Sequence, residues 1–222
     1  MPPLFRYFSS VNARAFVERG EVLFRALSYF RDYEDAGVRA DQYEGTLVHR
    51  PKDGLKVTMT SSGEEIELPH TLESTAREDD IFVYCMSREF STSIATRFEA
   101  EACVEIDHPL AFLSRVRTAL SLRARLRAEK MIHQPVKYYE RHEPPIVDWA
   151  LPERIAMRKP KSFEWQMEHR IAVPLGNAFR VENVQVKLVP LGQVRQRQVA
   201  DHPRPLLLRL GSLAKICRIH AL

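Results

Sequence analysis

The stretch DDIFVYCMS at residues 79–87 constrains the chain more than any other. Side chains alternate along a strand, and here both faces are apolar. A strand of that kind belongs in the middle of a sheet, covered on both sides. Shorter runs of strand character surround it: LFRYFS at the start, ACVEID at 102–107, PVKYY at 135–139 and VQVKLVPLG at 184–192, with PLLLRLGSLAKICRIHAL closing the chain. LKVTMTSSGEEIELP reads as a β-hairpin with Gly63 in its turn. EVLFRALSYF is at least partly a strand.

Helical patterns are fewer. SVNARAFVERG has Ser9 or Ser10 as N-cap and Gly20 as its stop. STSIATRFEA is capped by Ser91 or Ser93. From Pro109 to about Lys130 an apolar stripe runs through Leu113, Val116, Leu120, Ala124 and Met131. Strands outnumber helices and are not regularly interleaved with them. The expected class is therefore α+β, with a mixed, mainly antiparallel sheet and flanking helices.

A length of 222 residues suits one domain spanning 1–222, with a hairpin insertion near 46–70. A connection near 140–161 holds four prolines and reads as lid-like. No apolar run approaches a membrane span and no signal peptide is visible, which implies a cytoplasmic chain with no membrane partner. The three cysteines and eight histidines show no metal-ligand spacing, so no metal is expected. No Walker A loop, dinucleotide glycine fingerprint or GxSxG is present. Lys and Arg exceed Asp and Glu by 33 to 29, with arginine dominant. Arginine suits phosphate and carboxylate partners, although a GC-rich genome gives the same bias.

KSFEWQMEHRIAV at 161–173 reads as a strand with Phe163, Trp165, Met167, His169, Ile171 and Val173 on one face. Glu164, Gln166, Glu168 and Arg170 fall on the other. That polar row is either a solvated surface, with Glu168 and Arg170 as an exposed ion pair, or the floor of a site under the proline-rich segment.

The order of these pieces resembles an uncharacterised bacterial and phage domain-of-unknown-function family. The matching parts are Arg6–Tyr7, GEVLFRALSYFRDYED, YCMS, ACVEID, VKYY, KSFEWQMEHRIAV and VKLVPLG. Departures are Arg31–Asp32–Tyr33, where the family has Asn-Asp-Pro, Cys85–Met86–Ser87 for Cys-Phe-Ser, and a missing helix tryptophan. A weaker resemblance is to ADP-ribosyltransferases of the arginine-serine-glutamate type, through Arg6, Ser91–Thr92–Ser93 and Gln166–Met167–Glu168 in that order. It implies a split sheet and NAD as substrate. Glu168 would stabilise the oxocarbenium-like transition state, Gln166 would orient the acceptor and Arg6 would pair with the pyrophosphate.

The Ser-Thr-Ser triplet suits a helix cap better than a strand, which leaves Ser28 as the better serine for NAD. Tyr84, like Tyr7, Tyr29 and Tyr33, could stack on a base, although strand aromatics are more often core. Arg6 is as suited to a buried salt bridge with Glu168 or Asp32 as to a phosphate. Arg115, Arg117, Arg123, Arg125 and Lys130 give a basic helix that is either a solvated face or a phosphate-tracking surface for nucleic acid. The leading expectation is an ADP-ribosyltransferase-like toxin or phage-defence effector acting on a macromolecule such as nucleic acid. The rivals are a non-catalytic nucleic-acid-binding or regulatory module, and a nuclease with an acid cluster at Asp32, Glu34 and Glu168.

Overall fold

The computed structural model describes residues 1–31, 41–193 and 202–222. It is an α+β protein with, among these residues, one eight-stranded sheet and three small ones. The first strand, β1 (Leu4–Phe8), leads into helix α1 (Ser10–Arg19), and β2 (Glu21–Ala26) follows at once. Gly20 makes that reversal possible. Its φ is +64°, and a Cβ there would sit 2.3 Å from the Gly211 carbonyl oxygen. After β2 comes α2 (Leu27–Arg31).

Next are β3 (Thr46–His49), the hairpin of β4 (Leu55–Thr58) and β5 (Glu65–Leu68), and β6 (His70–Thr75). Gly63 lies in the hairpin turn with φ +71°. β7 (Ile81–Ser87), α3 (Thr92–Arg97), β8 (Ala102–Ile106) and α4 (Pro109–Ser121) complete the first half. Ser91 caps α3, its hydroxyl accepting from the Ile94 amide at 3.4 Å. The Ser-Thr-Ser element is thus a cap, as its helical surroundings indicate.

β9 (Ile132–Pro135) and β10 (Lys137–Tyr139) come next. The proline-rich segment then folds into a 3-10 turn, α5 (Pro152–Ile155) and β11 (Arg158–Pro160), which pairs in parallel with β10. Far from standing off as a lid, it buries Trp149, Ile155, Ala156 and Met157 in the core. β12 (Glu168–Pro174), β13 (Gln185–Pro190), β14 (Leu206–Arg209) and β15 (Cys217–Ala221) follow.

The strand expected over 161–173 covers only the second half of that stretch. Lys161–Gln166 is a 3-10 turn, Met167 adopts a left-handed conformation, and the strand begins at Glu168. The alternation seen upstream belongs to a turn, whose side chains happen to sort by polarity. The long basic helix is also shorter than its stripe. It ends at Ser121, because the chain doubles back to the sheet, with the Arg127 amide donating to Pro174 and the Gly176 amide to Arg125.

β7 is central, as its two apolar faces require. β12 pairs with it along its whole length, from Glu168 opposite Ser87 to Pro174 opposite Ile81. On one face of the sheet Phe82, Tyr84, Met86, Ile171 and Val173 pack with Phe16, Phe112, Val116 and Leu120 of α1 and α4. On the other, Val83 and Ala172 pack with Leu47, Trp149, Ile155 and Met157. Among the described residues, no helix is long and apolar enough to cross a membrane.

Candidate functional site

The site arises from how the other edge of β7 is shared. β2 pairs only with Phe82 and Val83, while β1 pairs only at Ser87. Among the described residues no strand covers Tyr84–Met86 on that side, so the sheet splits between β1 and β2. A cleft of about 630 Å³ opens at the split. Its walls include Phe5, Arg6 and Tyr7 of β1, Leu23 and Arg25 of β2, Tyr29 of α2 and Tyr84–Ser87. Lys159, Gln166 and Glu168 also line it.

Arg6 projects across the split and donates to the Cys85 carbonyl. Its guanidinium carbon lies 5.0 Å from the Tyr84 ring centre and 5.5 Å from that of Phe8. Its Nε is buried and has no acceptor. Among the described residues no carboxylate pairs with it, so Arg6 is not the salt-bridge partner of Glu168. Asp32, the other partner considered, lies outside the described residues, as do Tyr33 and Glu34. Tyr84 is 3% exposed and its hydroxyl has no partner, and burial drives its pKa far up.

Glu168 is a different kind of group. Its carboxylate takes Arg170 Nε at 2.7 Å on one oxygen and Lys159 Nζ at 2.9 Å on the other. Arg170 also forks onto Glu44, at 2.6 and 3.2 Å, and donates to the Ala156 carbonyl at 2.6 Å. Lys159 donates to Gln166 Oε1 at 2.9 Å. All these side chains are buried, and Arg170 is wholly so. The exposed ion pair expected of Glu168 and Arg170 is therefore a buried one within a four-residue ionic network. Burial pushes the Glu168 carboxyl up, but Arg170 and then Lys159 together overcome it and hold it well below the usual carboxylate range. Burial pulls the Lys159 ammonium down, and Glu168 and Glu44 more than restore it. Cys85 lies against the same carboxylate, and burial first, then Glu168, pushes its thiol up to about 12.

A third acid, Asp41, sits beside this network. It is 3% exposed, accepts the Tyr43 amide on one oxygen, and has no partner on the other. Burial, then the nearby Glu44, raises its pKa to about 6.

The cleft thus brings together Arg6, Tyr84, Gln166 and Glu168 of the residues singled out from sequence. It does not include Ser28. β2 ends at Ala26, so Ser28 lies on α2, buried at 1% exposure with its hydroxyl unpartnered. Nor does it include the basic residues. Arg115 and Arg117 are on α4, Arg123 and Arg125 follow it in the turn, and Lys130 is in a 3-10 turn, all exposed. Among the described residues, no group of three His, Cys, Asp or Glu side chains is placed to hold a metal.

Sequence reading passed over Arg25, Lys159 and Glu44. Arg25 shares the outward face of β2 with Glu21 and Leu23, a pattern that looks like ordinary surface. Glu44 is distant from Glu168 in sequence and meets it only through the fold, while Lys159, close in sequence, is brought back onto it by the 3-10 turn Lys161–Gln166. No family model, curated protein or solved structure matches the chain.

Proposed function

We propose that the protein binds a phosphorylated nucleotide in the split-sheet cleft, with NAD as the candidate, and acts on it as an ADP-ribosyltransferase-like enzyme. The reading is carried by Arg6. A half-buried guanidinium with an aromatic floor and an orphan Nε has, among the described residues, no carboxylate to supply the counter-charge such a group ordinarily requires. A phosphate would supply it, with charge-assisted hydrogen bonds. The cleft volume falls within the range of small-molecule sites, roughly 300–1,000 Å³.

Glu168 and Gln166 line the same cleft. As the nicotinamide–ribose bond breaks, its electron pair leaves with nicotinamide and positive charge develops on the ribose. A fixed carboxylate stabilises that charge without having to reorganise. Because two cations already share the Glu168 charge, its stronger contribution is to accept from a ribose hydroxyl.

Calorimetry with NAD and an assay of nicotinamide release test the reading. Arg6→Gln is expected to weaken NAD binding by about tenfold. Glu168→Gln is expected to lower turnover by roughly a hundredfold while NAD still binds. Wild-type protein that neither binds NAD nor releases nicotinamide would reject it.

A second reading, nucleic acid as acceptor or binding partner, is favoured by Arg115, Arg117, Arg123, Arg125 and Lys130. All are exposed, and among the described residues none is in an ion pair. A guanidinium that gives its charge to no carboxylate can neutralise a phosphate.

A further inference from the structure

Arg6 and Arg25 stand on opposite lips of the split, and both guanidiniums are stacked on aromatic rings. The Arg25 guanidinium carbon lies 4.3 Å from the Tyr29 ring centre, a closer stack than that of Arg6 on Tyr84. The chain builds the Arg25 pair locally. β2 ends at Ala26 and α2 begins at Leu27, so the ring four residues later swings under the side chain. Stacking engages the face of a guanidinium and leaves the donors around its edge able to bond in the plane. Among the described residues, Arg25 makes no hydrogen bond and no ion pair, although it lines the cleft.

The strand register sets the spacing of the points on β7 beside which the two side chains stand. Arg25 lies opposite Val83, while Arg6 reaches the Cys85 carbonyl. Those anchor points are two residues apart on β7, roughly 6.6 Å at ~3.3 Å per residue. One phosphate group would have to serve both arginines from a single centre. Two linked phosphates can give each fork its own oxygens and its own negative charge. Of the carboxylates that line the cleft, Glu21 is held by Arg19 at 2.9 Å and Glu168 by Arg170 and Lys159, while Glu99 is exposed and, among the described residues, makes no ion pair with Arg25.

Resting on the nucleotide reading above, we propose that Arg25 is a second phosphate ligand of the cleft, that Tyr29 positions it, and that it makes the site selective for diphosphates over monophosphates. The ligand class is thus a nucleoside diphosphate or a dinucleotide joined through a pyrophosphate. Arg25 touches the ligand, whereas Tyr29 acts through Arg25.

Calorimetry with ADP-ribose, ADP, AMP and adenosine tests this on the wild type and on Arg25→Gln, Arg25→Lys, Tyr29→Phe and Tyr29→Leu, with a melting curve for each. The wild type is expected to bind ADP-ribose and ADP at least about tenfold more tightly than AMP. Arg25→Gln is expected to bring that ratio close to one, and Arg25→Lys, which keeps charge but loses the fork, to leave it in between. Tyr29→Phe keeps the ring and should keep the ratio, while Tyr29→Leu should lower it. A wild type that binds ADP and AMP equally, or an Arg25→Gln protein that retains the ratio, overturns the role of Arg25 and leaves nucleotide binding standing. A wild type that binds none of the four ligands overturns both.

Discussion

Two sets of cations lie in and behind the cleft, and they are satisfied in opposite ways. Arg170 and Lys159 spend their charge inside the protein, on Glu44 and Glu168. Arg6 and Arg25 have aromatic faces and, among the described residues, no carboxylate. The first set holds β12 to the segments that cover it. The second stands where β1 and β2 part, and keeps its capacity for an anion. Lying close together does not give residues a shared role. What separates them is whether the counter-charge is already present.

The largest expected effect lies in the first set. Arg170→Met removes a fully buried guanidinium and leaves Glu44 and Glu168 short of their main partner. Breaking a buried pair from one side costs about 3–5 kcal/mol. Urea unfolding should show a loss of that order. Arg6→Gln, measured in the same way, should cost well under half as much, since it removes no carboxylate's partner. Equal losses for the two would erase the distinction between a structural and a ligand-ready arginine.

Asp41 gives a smaller effect, and one of unusual sign. If all were ionised, Asp41, Glu44 and Glu168 would carry three negative charges against two positive ones on Lys159 and Arg170. Asp41 is the member whose pKa rises, from 3.8 to about 6. The folded state therefore holds that proton more tightly than the unfolded chain does. Stability from this group is full below about pH 4, falls as pH rises towards 6, and is flat above it. Glu168 works the other way, because its pKa is lowered: its contribution is present above the ordinary glutamate pKa and is lost as pH falls below it. Asp41→Asn keeps an oxygen for the Tyr43 amide and cannot ionise. It should stabilise the protein at pH 8, on the order of 2 kcal/mol, and change little at pH 4. Melting curves across that range check it. A variant less stable than wild type at pH 8 would mean that Asp41 is charged and needed in the network.

How much of this could be read from the chain differs from part to part. The apolar run at β7, the cap at Ser91 and the stop at Gly20 were legible because each is a local rule: alternation, a side-chain acceptor, a left-handed residue. The start of β12 was not. Alternation continues upstream through a 3-10 turn, and polarity alone carries no sign of the left-handed Met167. Glu168 and Gln166 stood out by spacing, whereas the meaning of Glu168 depends on Glu44, which is remote in sequence, and on Lys159, which reaches it only through the 3-10 turn between them. The split was implied only by resemblance. It rests on β1 and β2 pairing with different ends of one strand, a fact of register that no short motif encodes. Asp32 and Glu34, the remaining acids of the nuclease reading, lie outside the described residues.

The smallest effect on stability belongs to a third set of arginines, those in and beyond α4. Arg123 donates to the Leu207 carbonyl at 3.4 Å, a long bond at an exposed site, and among the described residues neither it nor Arg125 is in an ion pair. Replacing both with glutamate should move stability by no more than about 0.5 kcal/mol, as is usual for surface positions. Their effect on binding separates the two remaining possibilities for this face. If these residues track phosphates, wild-type affinity for RNA or DNA should fall steeply with salt, close to one power of salt per phosphate neutralised. The double variant should then lose most of the binding and flatten the salt slope. NAD binding should be untouched in either case, because neither residue lines the cleft. A wild type with no measurable affinity for RNA or DNA at low salt would assign this face to solvent. The protein's anion chemistry would then rest with Arg6 and Arg25.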